Sequence, residues 1–187
     1  GSRYPAYSLG YNSRMHEMVA AFVRSQLKRL DSLNAWRRRN AEFLSRRLGR
    51  IPGLRPPVTP PDRTNVHHMY PVRIDPAALG IDLPARQFRL LLEKALQAEG
   101  VKVHQWVDKV LPAHAVYQVR EGYGRGCPWK CPFNKSSDYS YGKGTLPQTD
   151  AIFSHGVLMA VPSKLTGDQC DRIAEAYRKV ASHVVST

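Results

Sequence analysis

Two polar side chains stand at the start of a long helical pattern, and together they could bind an anion. Asn12 and Arg14 precede apolar residues that recur at helical spacing, so Asn12 or Ser13 would serve as the helix N-cap. Free backbone N–H groups and the helix dipole attract negative charge at such a point, and Arg14 would add its own donors. A simpler interpretation stays open, in which the helix is only capped and Arg14 pairs with Glu17.

Three cysteines raise the question of a metal site. Cys127 and Cys131 are spaced C-x3-C, whereas zinc sites commonly use C-x2-C pairs, and no second pair follows. Cys170 lies on the last predicted helix, and a zinc ion would have to recruit a distant histidine such as His104, His114 or His155. We therefore predict no metal site. An odd number of cysteines without a secretory signal favours reduced thiols in a cytoplasm.

Residues 120–150 are rich in glycine, proline and aromatic residues. Such a stretch is too long for an ordinary connection, and its aromatic side chains argue against disorder. We predict an ordered irregular loop. Because glycines permit close approach and the ring of Trp129 could stack on a ligand, the loop could also cover a substrate.

Hydrophobic periodicity predicts the elements that would position these groups. Helices are expected over residues 13–48, 85–99 and 166–183, and strands over 66–74, 101–104 and 155–161. Thr166 with Gln169 three residues later is a capping-box pattern for the last helix. The buried face of the second helix is predicted to carry Phe88, Leu91, Leu92, Ala95 and Leu96. This order indicates an α+β fold, in which helices cover one face of a small antiparallel or mixed sheet.

Composition narrows the classes of partner. The 28 Lys and Arg residues against 15 Asp and Glu give a net charge of +13, which favours anionic partners. The arginine clusters lie along the predicted long helix, where a solvated face explains them, and no nucleic-acid recognition motif accompanies them. No apolar run of about 18 residues is present, so we expect neither a membrane span nor nucleic-acid binding.

The residues Gly10-Tyr11-Asn12-Ser13-Arg14-Met15 resemble the GYN-x-R element of the DegT/DnrJ/EryC1/StrS family of pyridoxal-phosphate (PLP) aminotransferases, which act on nucleotide-linked keto-sugars and keto-cyclitols. Stretches at 95–101 and 161–169 are similar to later family elements, and their order matches. The resemblance covers nearly all of the chain. It implies the C-terminal small domain of a PLP-transferase type I fold, with a loop and long connecting helix over 1–50 and the small domain over 51–187.

The resemblance also implies roles for individual residues. Asn12 would reach the PLP phosphate of the neighbouring subunit in a homodimer, and Arg14 would face the anionic end of the substrate or cofactor. His68 and Tyr70 match the family's H-x-Y/F strand on the substrate side, and Trp129 belongs to a Gly-Cys-Pro-Trp stretch found in some members. For His68, a half-buried strand histidine with a backbone partner is the alternative.

In the resembled family, the Schiff-base lysine and the acid that faces the pyridinium lie upstream of the GYN element. No lysine of this sequence has the matching Ser/Lys, Gly-rich context, so we predict that the chain lacks the catalytic lysine and is inactive without an N-terminal large domain. That domain should pack on an exposed apolar stripe formed by Met15, Val19, Phe22 and Val23.

The intact protein would move an amino group from an amino acid, such as glutamate or glutamine, to a keto-sugar or keto-cyclitol. The resemblance places this reaction in the biosynthesis of a secondary metabolite or a surface sugar. The alternative is a non-catalytic aminotransferase-like module that serves binding or dimerisation.

Overall fold

The computed structural model of the chain describes residues 13–105, 109–134, 139–142, 144–159 and 165–185. In these ranges the helices are α1 (Glu17–Leu48), α2 (Ala85–Ala98), α3 (Ala115–Val119), α4 (Pro147–His155) and α5 (Gly167–Val185). The strands are β1 (Leu54–Arg55), β2 (Tyr70–Ile74), β3 (Val103–His104) and β4 (Gly156–Met159). None of the helices described combines the length and the apolar character that crossing a membrane requires.

The strands form one sheet in the order β1-β2-β4-β3, and every neighbouring pair is antiparallel. Along β2, Tyr70, Val72 and Ile74 are buried, while Pro71 and Arg73 between them are exposed. Since successive side chains of a strand point to opposite faces, one face of the sheet is covered and the other is open at β2. The predicted α+β class, with a small sheet covered on one face, is confirmed.

The helices pack on each other and on the covered face of the sheet. The second half of α1 contributes Asn40, Ala41, Leu44 and Leu48 to the interior, and α1 packs against α5. Helix α2 lies against α4, α5 and the strands β3 and β4. The largest fully buried side chains include Tyr70, Phe88 and Tyr177, which come from the sheet, α2 and α5 respectively. The second half of α1 is therefore part of the same core as the sheet.

The start of α1 differs from the prediction. The helix begins at Glu17, and its N-cap is His16, whose Nδ1 accepts a hydrogen bond from the Met18 N–H at 3.4 Å. The expected cap at Asn12 or Ser13 is therefore wrong, because the helix begins later and the His16 imidazole satisfies one of its free backbone donors, the Met18 N–H. Every residue from 13 to 32 is exposed, including the predicted apolar stripe of Met15, Val19, Phe22 and Val23.

The capping box at the last helix is confirmed. The Thr166 N–H donates to Gln169 Oε1 at 2.9 Å, and the Gln169 N–H donates to Thr166 Oγ1 at 3.3 Å. These reciprocal bonds satisfy two of the donors that a helix start leaves free.

Other boundaries needed correction. Strand β2 begins at Tyr70 rather than at residue 66. The strand predicted to begin at residue 155 begins at Gly156, because His155 is the last residue of α4. Helix α3 ends just before the region 120–150 that was predicted to be irregular, and helix α4 begins inside that region. On α2, Leu91 is 51% exposed and Arg89 only 2%, so the buried face is rotated toward Arg89.

Candidate functional site

Arg14 lies in the non-helical stretch 13–16 that precedes α1, and it is exposed. Within the described residues, its side chain makes no hydrogen bond or ion pair, so the alternative pairing with Glu17 is not formed. Asn12 lies outside the described residues. The Arg14 guanidinium is thus exposed to solvent, at the end of the helix where backbone donors also attract anions.

His68 and Tyr70, which sequence analysis placed on one substrate-facing strand, occupy different environments. His68 is exposed just before β2, whereas Tyr70 is fully buried on the covered face of the sheet. The hydroxyls of Tyr70 and Ser45 lie 2.7 Å apart in a hydrogen bond that joins β2 to α1. Burial raises the pKa of Tyr70 to about 12, so its phenol stays protonated under ordinary conditions. Tyr70 therefore packs in the core in this chain, and only His68 faces outward.

His67, between the exposed Val66 and His68, is the buried histidine of this segment. It is 6% exposed, its φ is +48°, and its backbone N–H donates to Asn65 Oδ1 at 2.8 Å. Its ring centroid lies 6.2 Å from that of Tyr70. The Nδ1 atom is buried without a hydrogen-bond partner. Burial lowers the pKa of His67, although the Glu42 carboxylate acts in the opposite direction.

This burial should make the stability of the fold depend on pH. The unfolded chain has the ordinary histidine pKa of 6.5 and the folded chain a lower one, so the unfolded state binds more protons below pH 6.5. The free energy of unfolding should therefore fall as the pH drops through 6.5 toward the folded-state pKa. His67→Asn removes this contribution and tolerates the positive φ.

Urea unfolding of both proteins between pH 8 and pH 5 measures the effect. We expect a constant difference in the free energy of unfolding at the alkaline end. Below pH 6.5 the wild type should lose stability relative to His67→Asn. Parallel profiles would show that His67 does not titrate differently on folding.

Trp129 is held in a cluster of three aromatic rings. Its indole N–H donates to the Tyr141 hydroxyl at 2.8 Å, and its ring stands nearly perpendicular to Tyr117 and Tyr141, at centroid distances of 6.1 and 6.3 Å. Tyr117 and Tyr141 are 5.3 Å apart, and the Arg120 guanidinium lies 5.9 Å from the Tyr141 ring. Tyr117 and Tyr141 were not predicted as site residues, because no sequence spacing shows that their rings meet Trp129.

Backbone hydrogen bonds order the turn that leads to Trp129. The N–H groups of Gly122 and Tyr123 both donate to the Cys127 carbonyl, at 3.1 and 3.0 Å. Gly126 has a φ of +75°, and a Cβ there would lie 2.6 Å from the Lys130 side chain, so the position favours glycine. In the residues described, the stretch predicted to be an ordered loop does contain a compact, hydrogen-bonded turn.

The cysteines do not assemble with metal-ligating side chains in the described ranges. Burial, followed by the neighbouring Cys131 thiol, raises the pKa of Cys127. Cys170 is buried in the hydrophobic core on α5. Among the described residues, no group of three or more His, Cys, Asp or Glu is arranged to hold a metal ion.

The predicted site residues do not contact one another directly within the described chain. No hydrogen bond, ion pair or ring contact joins Arg14, His68 and Trp129 to one another in those ranges. The described lysines are all exposed, so none occupies an enclosed site of the kind a Schiff base requires; they are Lys28, Lys94, Lys102, Lys109, Lys130 and Lys179. The arrangement can contribute an anion-binding guanidinium, a surface imidazole and an aromatic platform.

Comparison with known proteins gives a consistent set of matches. The model of the DegT/DnrJ/EryC1/StrS aminotransferase family matches residues 1–129. The dTDP-3-amino-3,4,6-trideoxy-alpha-D-glucose transaminase of Streptomyces venezuelae is 45% identical over 78 residues, which are 40% of this chain and 20% of that protein.

A longer alignment joins the chain to a putative L-glutamine:3-amino-2,3-dideoxy-scyllo-inosose aminotransferase of Streptoalloteichus tenebrarius. It is 26% identical over 185 residues, covering 94% of this chain and 41% of the relative. The crystal structure of S. venezuelae DesV matches with a TM-score of 0.72 at 24% identity, over 96% of this chain and 40% of that one. The structural likeness agrees with the expected fold, and the chain spans about two fifths of these longer matches.

Proposed function

This chain belongs to the DegT/DnrJ/EryC1/StrS aminotransferase family, and on that premise we propose that it is the C-terminal part of a PLP-dependent aminotransferase. Its substrates would be an amino-acid donor and a keto-sugar or keto-cyclitol acceptor. The names of the relatives, a sugar-nucleotide transaminase and an inosose aminotransferase, support this substrate class. We propose the biosynthesis of a secondary metabolite or surface sugar, in the cytoplasm, as the setting.

The observation that carries the proposal is the unpartnered first half of α1. Residues 13–32 are all exposed, although this half of the helix carries Met18, Val19, Phe22 and Leu27. A helix in a protein gains most of its stability from packing its apolar face. We therefore expect the apolar face of this half to pack on a surface outside the core of α1, α2, α5 and the sheet. We propose that the surface is the large domain of the aminotransferase, which would bring the catalytic lysine and the acid for the pyridinium.

The residues of this chain fit one end of a PLP site and not the whole of it. Arg14 offers forked donors that match phosphate or carboxylate oxygens, and we propose that Asn12 binds the phosphate in the neighbouring subunit of a homodimer. The exposure of the described lysines supports a Schiff-base lysine elsewhere in the intact protein. When bound, PLP would supply the electron sink that lets an amino group leave one carbon and join another.

The remaining groups would orient the acceptor. His68, on the surface before β2, could hydrogen-bond hydroxyl or phosphate oxygens of the acceptor as a neutral imidazole. The indole ring of Trp129 would present an apolar face to the acceptor, and its hydrogen bond to the Tyr141 hydroxyl would fix the orientation of the ring. Tyr70, being buried, would act by positioning this segment through its bond to Ser45 rather than by touching substrate.

The test uses the intact protein with the substitution Arg14→Ala. Loss of a charge-assisted contact to an anion is expected to lower kcat/KM for the acceptor by about tenfold to a hundredfold. Arg86→Ala, which removes another exposed guanidinium, at the start of α2, is the matched control and should leave kcat/KM unchanged. Steady-state amino transfer and PLP absorbance are the measurements, and Asn12→Ala should weaken retention of PLP.

Two outcomes would contradict the proposal. An intact protein that binds no PLP would favour the non-catalytic module for binding or dimerisation. A stoichiometric, borohydride-trappable PLP adduct on the 187-residue chain by itself would show that the catalytic lysine lies within it.

A further inference from the structure

A cavity of about 480 Å³ lies between the second half of α1 and the segment 57–67. Helix α1 contributes Arg38, Glu42, Ser45 and Arg46 to its wall, which are spaced so that they share one side of the helix. The segment 57–67 contributes Arg63 and His67, together with threonine and asparagine side chains. Sequence analysis treated these helix arginines as a solvated face and did not join them to the proline-rich segment.

The charges in this cavity are mostly positive. Three guanidinium groups face one carboxylate, that of Glu42. Arg63 is already paired with Asp62 at 2.7 Å. In the part of the chain that the structure describes, no ion pair or side-chain hydrogen bond engages Arg38 or Arg46; the Arg46 guanidinium lies only near the Phe43 ring, at 6.0 Å. Two guanidinium groups thus remain available to an anion.

Among the described residues on the wall of this cavity, His67 is the one that is buried. It lines the cavity, it is 94% buried, and its Nδ1 has no hydrogen-bond partner. A buried polar atom without a partner costs free energy, and native structures seldom leave one unsatisfied. Because that atom is closed to solvent, the imidazole forms part of the cavity wall, and the arginine side chains are the groups that would contact a ligand.

We propose that this cavity binds a small molecule through a phosphate ester, with Arg38 and Arg46 holding the phosphate. Guanidinium forks match phosphate oxygens in pairs, and the volume is within the range of about 300–1,000 Å³ usual for small-molecule sites, which is more than a bare phosphate ion needs. Arg38 follows Glu17 by 21 residues, which is roughly 30 Å along the helix. The proposal therefore does not depend on the function assigned to Arg14 at the helix start.

Calorimetric titration of the 187-residue chain with glucose 1-phosphate, inorganic phosphate and glucose tests the proposal. We expect saturable binding of glucose 1-phosphate, weaker binding of inorganic phosphate and none of glucose. Arg38→Gln and Arg46→Gln should each weaken the binding about tenfold or more. Arg24→Gln, which removes the same charge from the exposed first half of α1, is the matched control and should change it less than twofold.

A variant that is expected to bind more tightly is included because misfolding would lower the affinity and could not raise it. Glu42→Gln removes the one carboxylate among the guanidinium groups, so it should strengthen glucose 1-phosphate binding several-fold. Far-UV circular dichroism checks that each variant keeps its helices. The proposal is overturned if neither phosphate compound binds saturably, if Arg24→Gln weakens binding as much as Arg38→Gln, or if Glu42→Gln leaves the affinity unchanged.

Discussion

Replacing Glu93 with alanine is expected to lower the free energy of unfolding by about 3–5 kcal/mol, because it leaves the buried guanidinium of Arg89 without its counter-charge. The Arg89 side chain is 3% exposed, and its guanidinium donates to Glu93 Oε2 at 3.1 Å. Its Nε atom is buried and has no hydrogen-bond partner. The guanidinium therefore already lacks one hydrogen bond before Glu93 is removed. Urea unfolding with linear extrapolation measures the loss.

Further variants separate the charge from the packing. Glu93→Gln keeps an acceptor and should lose less than Glu93→Ala. A double variant, Arg89→Met with Glu93→Leu, removes both charges and should recover most of the stability, since apolar replacements of buried pairs are often neutral or stabilising. The control is Glu175→Ala, whose carboxylate pairs with Arg178 on the surface of α5 and should matter little. Equal effects of Glu93→Ala and Glu175→Ala would mean that water reaches Arg89.

Leu92→Ala is expected to lower the free energy of unfolding by about 2–5 kcal/mol, since it removes a buried side chain and leaves a cavity. Leu92 is 1% exposed and belongs to the core that α2 shares with the sheet and α5. Its neighbour Leu91 is the matched control, as it has the same side chain on the same helix and is 51% exposed.

Leu91→Ala should change the free energy of unfolding by less than about 1 kcal/mol, as surface substitutions usually do. The slope of the urea transition should be the same for both variants, so that the shift in midpoint reports stability. If Leu91→Ala cost as much as Leu92→Ala, the buried face predicted from periodicity would be right and the rotated face wrong.

The rotation of α2 shows what hydrophobic periodicity can and cannot predict. Phe88, Leu92 and Leu96 were correctly placed inside, because leucine and phenylalanine at helical spacing define a stripe. The edges of the stripe depend on which neighbours the helix meets. Here Arg89 is buried through its pair with Glu93, and the stripe turns toward it, which leaves Leu91 outside. The hydrophobic pattern of a sequence cannot show that a pair of opposite charges is buried.

The elements that were missed lack a local signal of their own. Helix α4 has no residue among its described side chains that is fully buried, so it shows no apolar stripe, although Pro147 at its start was an available cue. Strand β1 is two residues long and exists because Leu54 pairs with Ile74. By contrast, the capping box at Thr166 needs only residues three apart, and it was predicted correctly.

The candidate site shows the same division between local and non-local information. That Arg14 is exposed near the start of a long helix follows from the order of residues around it, although α1 begins at Glu17 rather than at residue 13. That Tyr70 is buried against Ser45, or that Trp129 bonds to Tyr141, depends on how distant segments meet. The cavity at Arg38 was missed for this reason, since its two walls are separated by the turn after α1 and by strand β1.

Helix α1 is one helix by its hydrogen bonds but belongs to two cooperative units. Its second half opens only when the core around Leu44 and Leu48 unfolds, because both side chains are fully buried there. Its first half has no such anchor and can open locally at little cost. A surface that docks on Phe22 and Val19 would therefore couple the two units. Part of its binding free energy would stabilise the first half of α1 against local opening, so that the whole helix would unfold in one step.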